Sequence, residues 1–161
     1  KFMMPFTIQQ ASVHDVDLIA PLFDAYRVFY QQASDLHLAK KFLHERLQQQ
    51  QSNIFFAIDQ TNQGLGFVQL YPSFSSVSAK RLWILNDLYV AESARRLGVA
   101  RQLMLRARAF AIQTGAKGLF LETTHDNHQG QSLYESLGYL RNSEYYYFLD
   151  LQDQLVSQTD A

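Results

Sequence analysis

The sequence predicts an α/β domain: a mixed, mostly antiparallel central sheet flanked by about four helices. Three observations carry that expectation. Hairpin-like pairs of apolar runs surround a single strand, helix, strand succession, which combines antiparallel pairing with one parallel crossover. Between the runs, apolar residues recur at helical spacing. The 161 residues, 47% hydrophobic and 14% aromatic, are enough for one packed core of ordinary size.

The elements follow in order. Residues 6–10 alternate weakly and suit a first strand. Ser12 and Asp15 then supply helix-start chemistry ahead of DVDLIAPLFDAYRVFYQQ, where Leu18, Ile19, Leu22, Phe23, Tyr26 and Tyr30 share a helical face. Pro21 predicts a kink or an early break inside that helix. A second helix is expected over 35–50, with Leu36, Phe42, Leu43 and Leu47 apolar. NIFFAI, the turn DQTNQG and GFVQLY form an expected antiparallel hairpin, followed by a polar loop, PSFSSVSAK. The longest strand candidate is 81–90, RLWILNDLYV. A third helix over 98–114 turns Val99, Leu103, Ala107, Phe110 and Ala111 inward, with Arg101, Arg106 and Arg108 largely off that face and Gly115 as its stop. A buried-type strand at 118–123, a turn HDN, a short helix ending at Gly138 and a final strand over 145–151 complete the chain. One domain is expected over 6–151, with 152–161 as a tail.

Fourteen basic and fifteen acidic residues give a net charge of -1, so there is no global attraction to nucleic acid or to an anionic membrane. Any anion site must be local. With no cysteine, the chain has no disulfide framework, thiolate zinc site or cysteine nucleophile, which fits a reducing compartment. The apolar runs fall short of the roughly 18 residues of a membrane span, and the start KFMMPF has no secretory apolar region. A cytoplasmic protein is therefore expected. His125 and His128 flank Asn127, but no carboxylates converge with them at ligand spacing, so no metal is expected.

One stretch carries chemistry. In WILNDLYVAESARRLGVAR, residues 83–101, a run of β-formers stops at a short polar turn and delivers Arg95, Arg96, Gly98 and Ala100 to a helix start. Amides at a helix start are unpaired and carry partial positive charge, which suits phosphate. A strain-relieving surface turn would read the same way if the motif stood alone. It does not: Arg95, Gly98 and Ala100 fit Q/R-x-x-G-x-G/A. Further on, Asn127, Leu133, Tyr134, Gly138 and Tyr139 fit N-x-x-A-x-x-L-Y-x-x-x-G-F/Y, with Gly130 in place of its alanine. Two motifs in this order around one helix resemble the GNAT superfamily of acetyl-CoA-dependent N-acetyltransferases, over essentially the whole of 6–151. LYPSFSS, LNDLYV and AYRVFY are further similar to the diamine and thialysine branch, although Asn86 stands where that branch usually has a glutamate.

The resemblance implies acetyl-CoA as cosubstrate. The amides of Leu97, Gly98, Val99, Ala100 and Arg101 would hold pyrophosphate, with Arg95, Arg96 or Arg101 adding charge. Backbone groups of Leu88, Tyr89 and Val90 would pair with the pantetheine arm, which Asn127 would fix. Tyr134 would serve the departing thiolate; its phenol is about 1.5 pK units weaker as an acid than an alkyl thiol, so hydrogen bonding rather than full proton transfer is expected. A primary amine near pKa 10.4 is neutral at pH 7 at a cost of about 4.6 kcal/mol, so a deprotonation route is needed. Asp87 is the first candidate base and Glu122 the second, with water through a polar chain as an alternative. Strand alternation sets Asn86 and Asp87 on opposite faces unless a bulge intervenes. Tyr26, Arg27, Tyr30, Phe74, Asn86 and Asp87 are the candidate acceptor-side residues. The expected reaction is acetylation of a small primary amine, polyamine-like or amino-acid-like. A protein lysine or N-terminal acetyltransferase and a non-catalytic acetyl-CoA-binding module stay open. The tract EYYYFLDL could pair across an edge in a homodimer.

Overall fold

Ser12 and Asp15 cap each other reciprocally and open a 3-10 turn, which leads straight into α1, Val16–Phe29. The computed structural model describes residues 5–152. β1 is Phe6–Gln10, α2 Leu36–Gln48, β2 Asn53–Asp59, β3 Gly64–Ser75 and β4 Lys80–Val90; α3 is Val99–Gln113, β5 Gly118–Phe120 and α4 His128–Ser136. The strands lie in the order β1-β2-β3-β4-β5, antiparallel throughout except for the parallel β4–β5 pair, whose crossover contains α3. The mixed α/β fold read from the sequence is the one observed.

The chain divides into two compact units, with the boundary between Glu122 and Thr123. In the first, the sheet is covered on both faces. Ile54, Phe56 and Phe67 pack with Val16, Ile19, Leu22, Phe23 and Leu43 of α1 and α2. On the opposite face, Phe55 and Trp83 meet Phe110 of α3, with ring centroids 5.4 and 5.0 Å apart. Strand residues two apart share a face, so a strand covered on both sides must be apolar at every position. That is why the inner part of β2, residues 54–58, reads IFFAI without a polar interruption.

Four expectations need correction. Helix α1 runs on through Pro21: the proline removes a single i→i−4 bond, while buried Ile19, Ala20, Leu22 and Phe23 hold the helix on the sheet. The polar loop after residue 71 shrinks to 76–79, because β3 continues to Ser75 against Lys80. Pro72 is tolerated there because pairing with β2 ends at Leu70, which leaves its missing donor on a free edge. Strand β5 is three residues long, half of what the apolar run suggests. Residues 145–151 form no strand. A strand needs a neighbour to satisfy its backbone, and this tract stands in no ladder.

Candidate active site

The β3–β4 ladder slips once. Gln69 pairs with Asp87 and the next residue, Leu70, pairs with Leu85, so Asn86 is an extra residue on β4, a β-bulge. The slip reverses the alternation. Trp83 and Leu85 face α3, whereas Asp87 joins Ile54, Phe67 and Gln69 on the face covered by α1. The exception allowed for in the sequence is thus the arrangement observed, and Asn86 and Asp87 serve one cluster.

At its centre, Asp87 is buried, 3% exposed. Gln69 Nε2 donates to Asp87 Oδ2 and Asn86 Nδ2 donates to Oδ1 at 2.9 Å. From α1, the Tyr26 hydroxyl reaches the Asn86 carbonyl at 3.4 Å and also hydrogen-bonds the Asp87 carboxylate. Burial pushes the Asp87 carboxyl above the ordinary carboxylate range, and the bonds from Gln69, Asn86 and Tyr26 oppose that shift without cancelling it. Burial first, and then the Asp87 charge, push the phenols of Tyr26 and Tyr71 well above the ordinary tyrosine value. Both phenols therefore stay protonated at neutral pH beside one buried carboxylate. Gln69 and Tyr71 were missed in the sequence. Their signal was a glutamine inside an otherwise apolar strand, two residues from each of Phe67 and Tyr71.

The other acceptor-side candidates are scattered. Tyr30, 55% exposed, packs edge-on against Tyr26 at 5.0 Å. Arg27 follows Tyr26 on α1, and its Nη1 is buried without a hydrogen-bond partner. Phe74 lies under the Arg81 guanidinium at 5.1 Å, and alternation along β3 puts it on the opposite face from Gln69 and Tyr71. Glu122 is exposed beyond the end of β5. A surface cleft of about 690 Å³ between the start of α1 and α2, lined by residues that include His14, Lys40 and His44, shares no residue with the Asp87 cluster.

Beyond the cluster, β4 leads into the arginine turn. Arg96 and Gly98 take left-handed backbone, with φ of 66° and 80°. These two positive φ values turn the chain into α3. Its first turn is closed by a bond from Gln102 N–H to the Gly98 carbonyl at 3.1 Å, so the amides of Val99 and Ala100 come before the carbonyl ladder of the helix begins. Gly98 brings no capping side chain, and Arg95, Arg96 and Leu97 are exposed around it. Strand β5 pairs only with Leu82, Trp83 and Ile84. Among the described residues, the β5-side edge of β4 beyond Ile84 therefore has no strand partner. A free strand edge leading to a phosphate-type helix start suits a cofactor with an amide-bearing arm and a pyrophosphate.

In the second unit, Asn127 caps α4: its Oδ1 accepts from Gly130 N–H at 3.1 Å and its Nδ2 donates to Thr123 Oγ1 at 2.9 Å. A Cβ on Gly130 would come within 2.9 Å of the Asn127 Cγ, which accounts for glycine in place of the motif's alanine while the cap is in this position. Tyr134 lies on α4 with its ring 6.3 Å from Tyr139. Gly138, at φ 93°, ends the helix. Among the described residues no three His, Asp or Glu side chains gather as a metal site, and no helix is long and apolar enough to cross a membrane.

The model of the acetyltransferase (GNAT) family matches residues 19–139. The chain belongs to the GNAT family. Its relatives include the uncharacterized N-acetyltransferase YhfO of Bacillus subtilis (strain 168), 47% identical over 88% of this chain and 94% of that one. A probable acetyltransferase of Haemophilus influenzae is 32% identical over 83% of this chain and 89% of its own length. A solved structure of a probable acetyltransferase, 45% identical, superposes with a TM-score of 0.83 over 89% of this chain and 95% of that one. This GNAT protein is an acetyl-CoA-dependent N-acetyltransferase, and the family expected from the two motifs is borne out.

Proposed function

We propose that this GNAT enzyme transfers acetyl from acetyl-CoA to the primary amine of a small molecule, polyamine-like or amino-acid-like, by direct attack in a ternary complex. The carrying observation is the buried Asp87 on its bulge, ringed by Tyr26, Gln69 and Asn86. A carboxylate raised by burial is a better proton acceptor than an ordinary one. It also attracts an ammonium, so one group both recruits the cation and takes its proton through water. Tyr26, held as a neutral phenol, orients the carboxylate. Glu122 lacks such surroundings, which favours Asp87 as the base.

The amides of 97–101, with Arg95, Arg96 or Arg101, hold the pyrophosphate, and the free edge at Leu88, Tyr89 and Val90 takes the amide-bearing arm, with Asn127 on the same arm. The amine nitrogen attacks the thioester carbonyl, the C–S bond breaks, and the sulfur leaves as thiolate with a hydrogen bond from Tyr134; the proton that the nitrogen sheds as the amide forms passes through water to that thiolate, giving free CoA thiol. Tyr30, with Arg27 and Phe74, frames the acceptor. The diamine and thialysine likeness of LNDLYV and AYRVFY supports a basic acceptor. One catalytic domain over 6–151 is supported by a family match that crosses residue 122, and residence in the cytoplasm by the cysteine-free composition.

Release of CoA thiol, followed at about pH 8 so that more of the amine is neutral, tests the reading across diamines, polyamines, amino acids, aminoglycosides and lysine peptides. Turnover of a small amine is expected. Turnover of lysine peptides alone would sink the small-molecule reading, and silence in protein that binds acetyl-CoA would sink the catalytic one.

A further inference from the structure

The surroundings of Asp87 have two ends of opposite character. At the Asp87 end an acceptor is left over: Gln69 Oε1 is buried with no hydrogen-bond partner among the described residues. A buried acceptor without a donor is costly, and an ammonium beside the carboxylate supplies the missing N–H.

The other end is cationic. Phe42, Leu43 and Arg46 share a face of α2; Leu43 is buried in the core under the helix, and the Arg46 guanidinium lies 4.7 Å over the Phe42 ring. Phe42 stacks on Phe23 at 5.5 Å and Phe23 on Tyr26 at 6.3 Å, so an aromatic wall runs unbroken from Arg46 to the hydroxyl that bonds Asp87. On β3, Tyr71 follows Gln69 by two residues on the same face. Its phenol feels both charges, Asp87 raising its pKa and Arg46 lowering it. Tyr26, Phe42, Arg46 and Tyr71 are each half-buried, as the walls of a site are. Gln51 Oε1 accepts from Arg46 Nε at 2.8 Å and holds the fork in place, whereas the contact with Glu45 is a long 3.5 Å.

We propose that the acceptor is an amine that also carries a carboxylate, with its ammonium at Asp87 and Gln69 Oε1 and its carboxylate on Arg46, which makes Arg46 a specificity-determining residue. The inference rests on the acetyl-transfer reading and narrows it, choosing the amino-acid-like acceptor over the polyamine-like one. A planar guanidinium held at its Nε and bedded on a ring matches a carboxylate. A polyamine would instead set a second ammonium beside that guanidinium, where like charges repel.

The test compares amines matched with and without the carboxylate: lysine with cadaverine, ornithine with putrescine, phenylalanine with phenethylamine. In at least one pair the aminocarboxylate should have a kcat/KM about 10-fold or more above that of its partner. Arg46→Gln should erase that advantage through KM, and Arg46→Lys, which keeps the charge without the fork, should restore part of it. Binding is read apart from turnover, by the melting temperature of CoA-bound protein titrated with the same compounds. The preferred aminocarboxylate should raise it in the native protein and not in Arg46→Gln. Equal turnover within every pair would overturn the Arg46 assignment and leave the acetylation of small amines standing. A carboxylate advantage that survives Arg46→Gln would overturn it too. So would a melting temperature that no aminocarboxylate raises, whether or not an amine is turned over.

Discussion

Asp87 is pulled in two directions. Burial favours its neutral form, while three donors favour the charged one, and the balance lies on the raised side. The folded chain therefore binds this proton more tightly than the unfolded chain does. The resulting stabilisation is present in full below the unfolded value near 3.8 and is lost as pH rises through the folded value. Replacing Asp87 with Asn should flatten that fall: the variant should melt at least as high as the native protein at neutral pH while losing about 10²-fold or more in kcat/KM. A melting profile parallel to the native one would mean that the carboxyl titrates ordinarily. Gln69→Leu removes a donor to the carboxylate, so the acid limb of kcat/KM should move to higher pH; an unmoved limb would exclude Asp87 as the titrating base. Tyr134→Phe should lower kcat by about 10 to 100-fold with acetyl-CoA affinity kept, and complete loss would demand a larger role than a hydrogen bond. The sequence shows Asp87, Asn86 and Tyr26 as candidates but cannot show that they meet. One inserted residue decides the face, and no composition rule announces the insertion.

At the scale of elements, two glycines shape the passage from β4 to α3: Gly98 in the arginine turn and Gly66 on the neighbouring β3. Gly98 adopts φ 80° with open space around its Cβ position, so alanine there costs only backbone strain, about 1–2 kcal/mol. Gly66 is the reverse case. A Cβ would sit 2.7 Å from the Tyr89 carbonyl and 3.2 Å from Val99 Cγ1, between β4 and the first turn of α3. Gly66→Ala should thus lower the melting temperature by more than Gly98→Ala and also weaken acetyl-CoA binding, because it shifts the helix start. Equal effects on melting would contradict this packing account. The role of Gly98 could be read from its motif. That of Gly66 could not, because its constraint comes from a strand and a helix more than twenty residues away.

Across the whole molecule, order should be uneven. Strand β2 buries Ile54, Phe55, Phe56 and Ala57 almost completely, whereas α4 buries none of its residues. Helices with no buried face open locally. Amides of α4 should exchange at least about 10²-fold faster than those of β2 and β3. Uniform exchange would indicate one cooperative body.

What the sequence determined by itself is the order of elements, the helix ends at Asp35, Gly115 and Gly138, the apolar strands of the core and the two motifs of the family. These depend on neighbours in the chain: side-chain periodicity, capping and the φ that glycine allows. Tertiary structure alone decided which face of β4 carries Asp87, that Gln69 and Tyr71 surround it, that Phe74 stands apart, and that the apolar 145–151 run finds no ladder within the described chain. Each depends on pairing register or on the presence of a partner edge, and register is set by contacts between segments far apart in sequence.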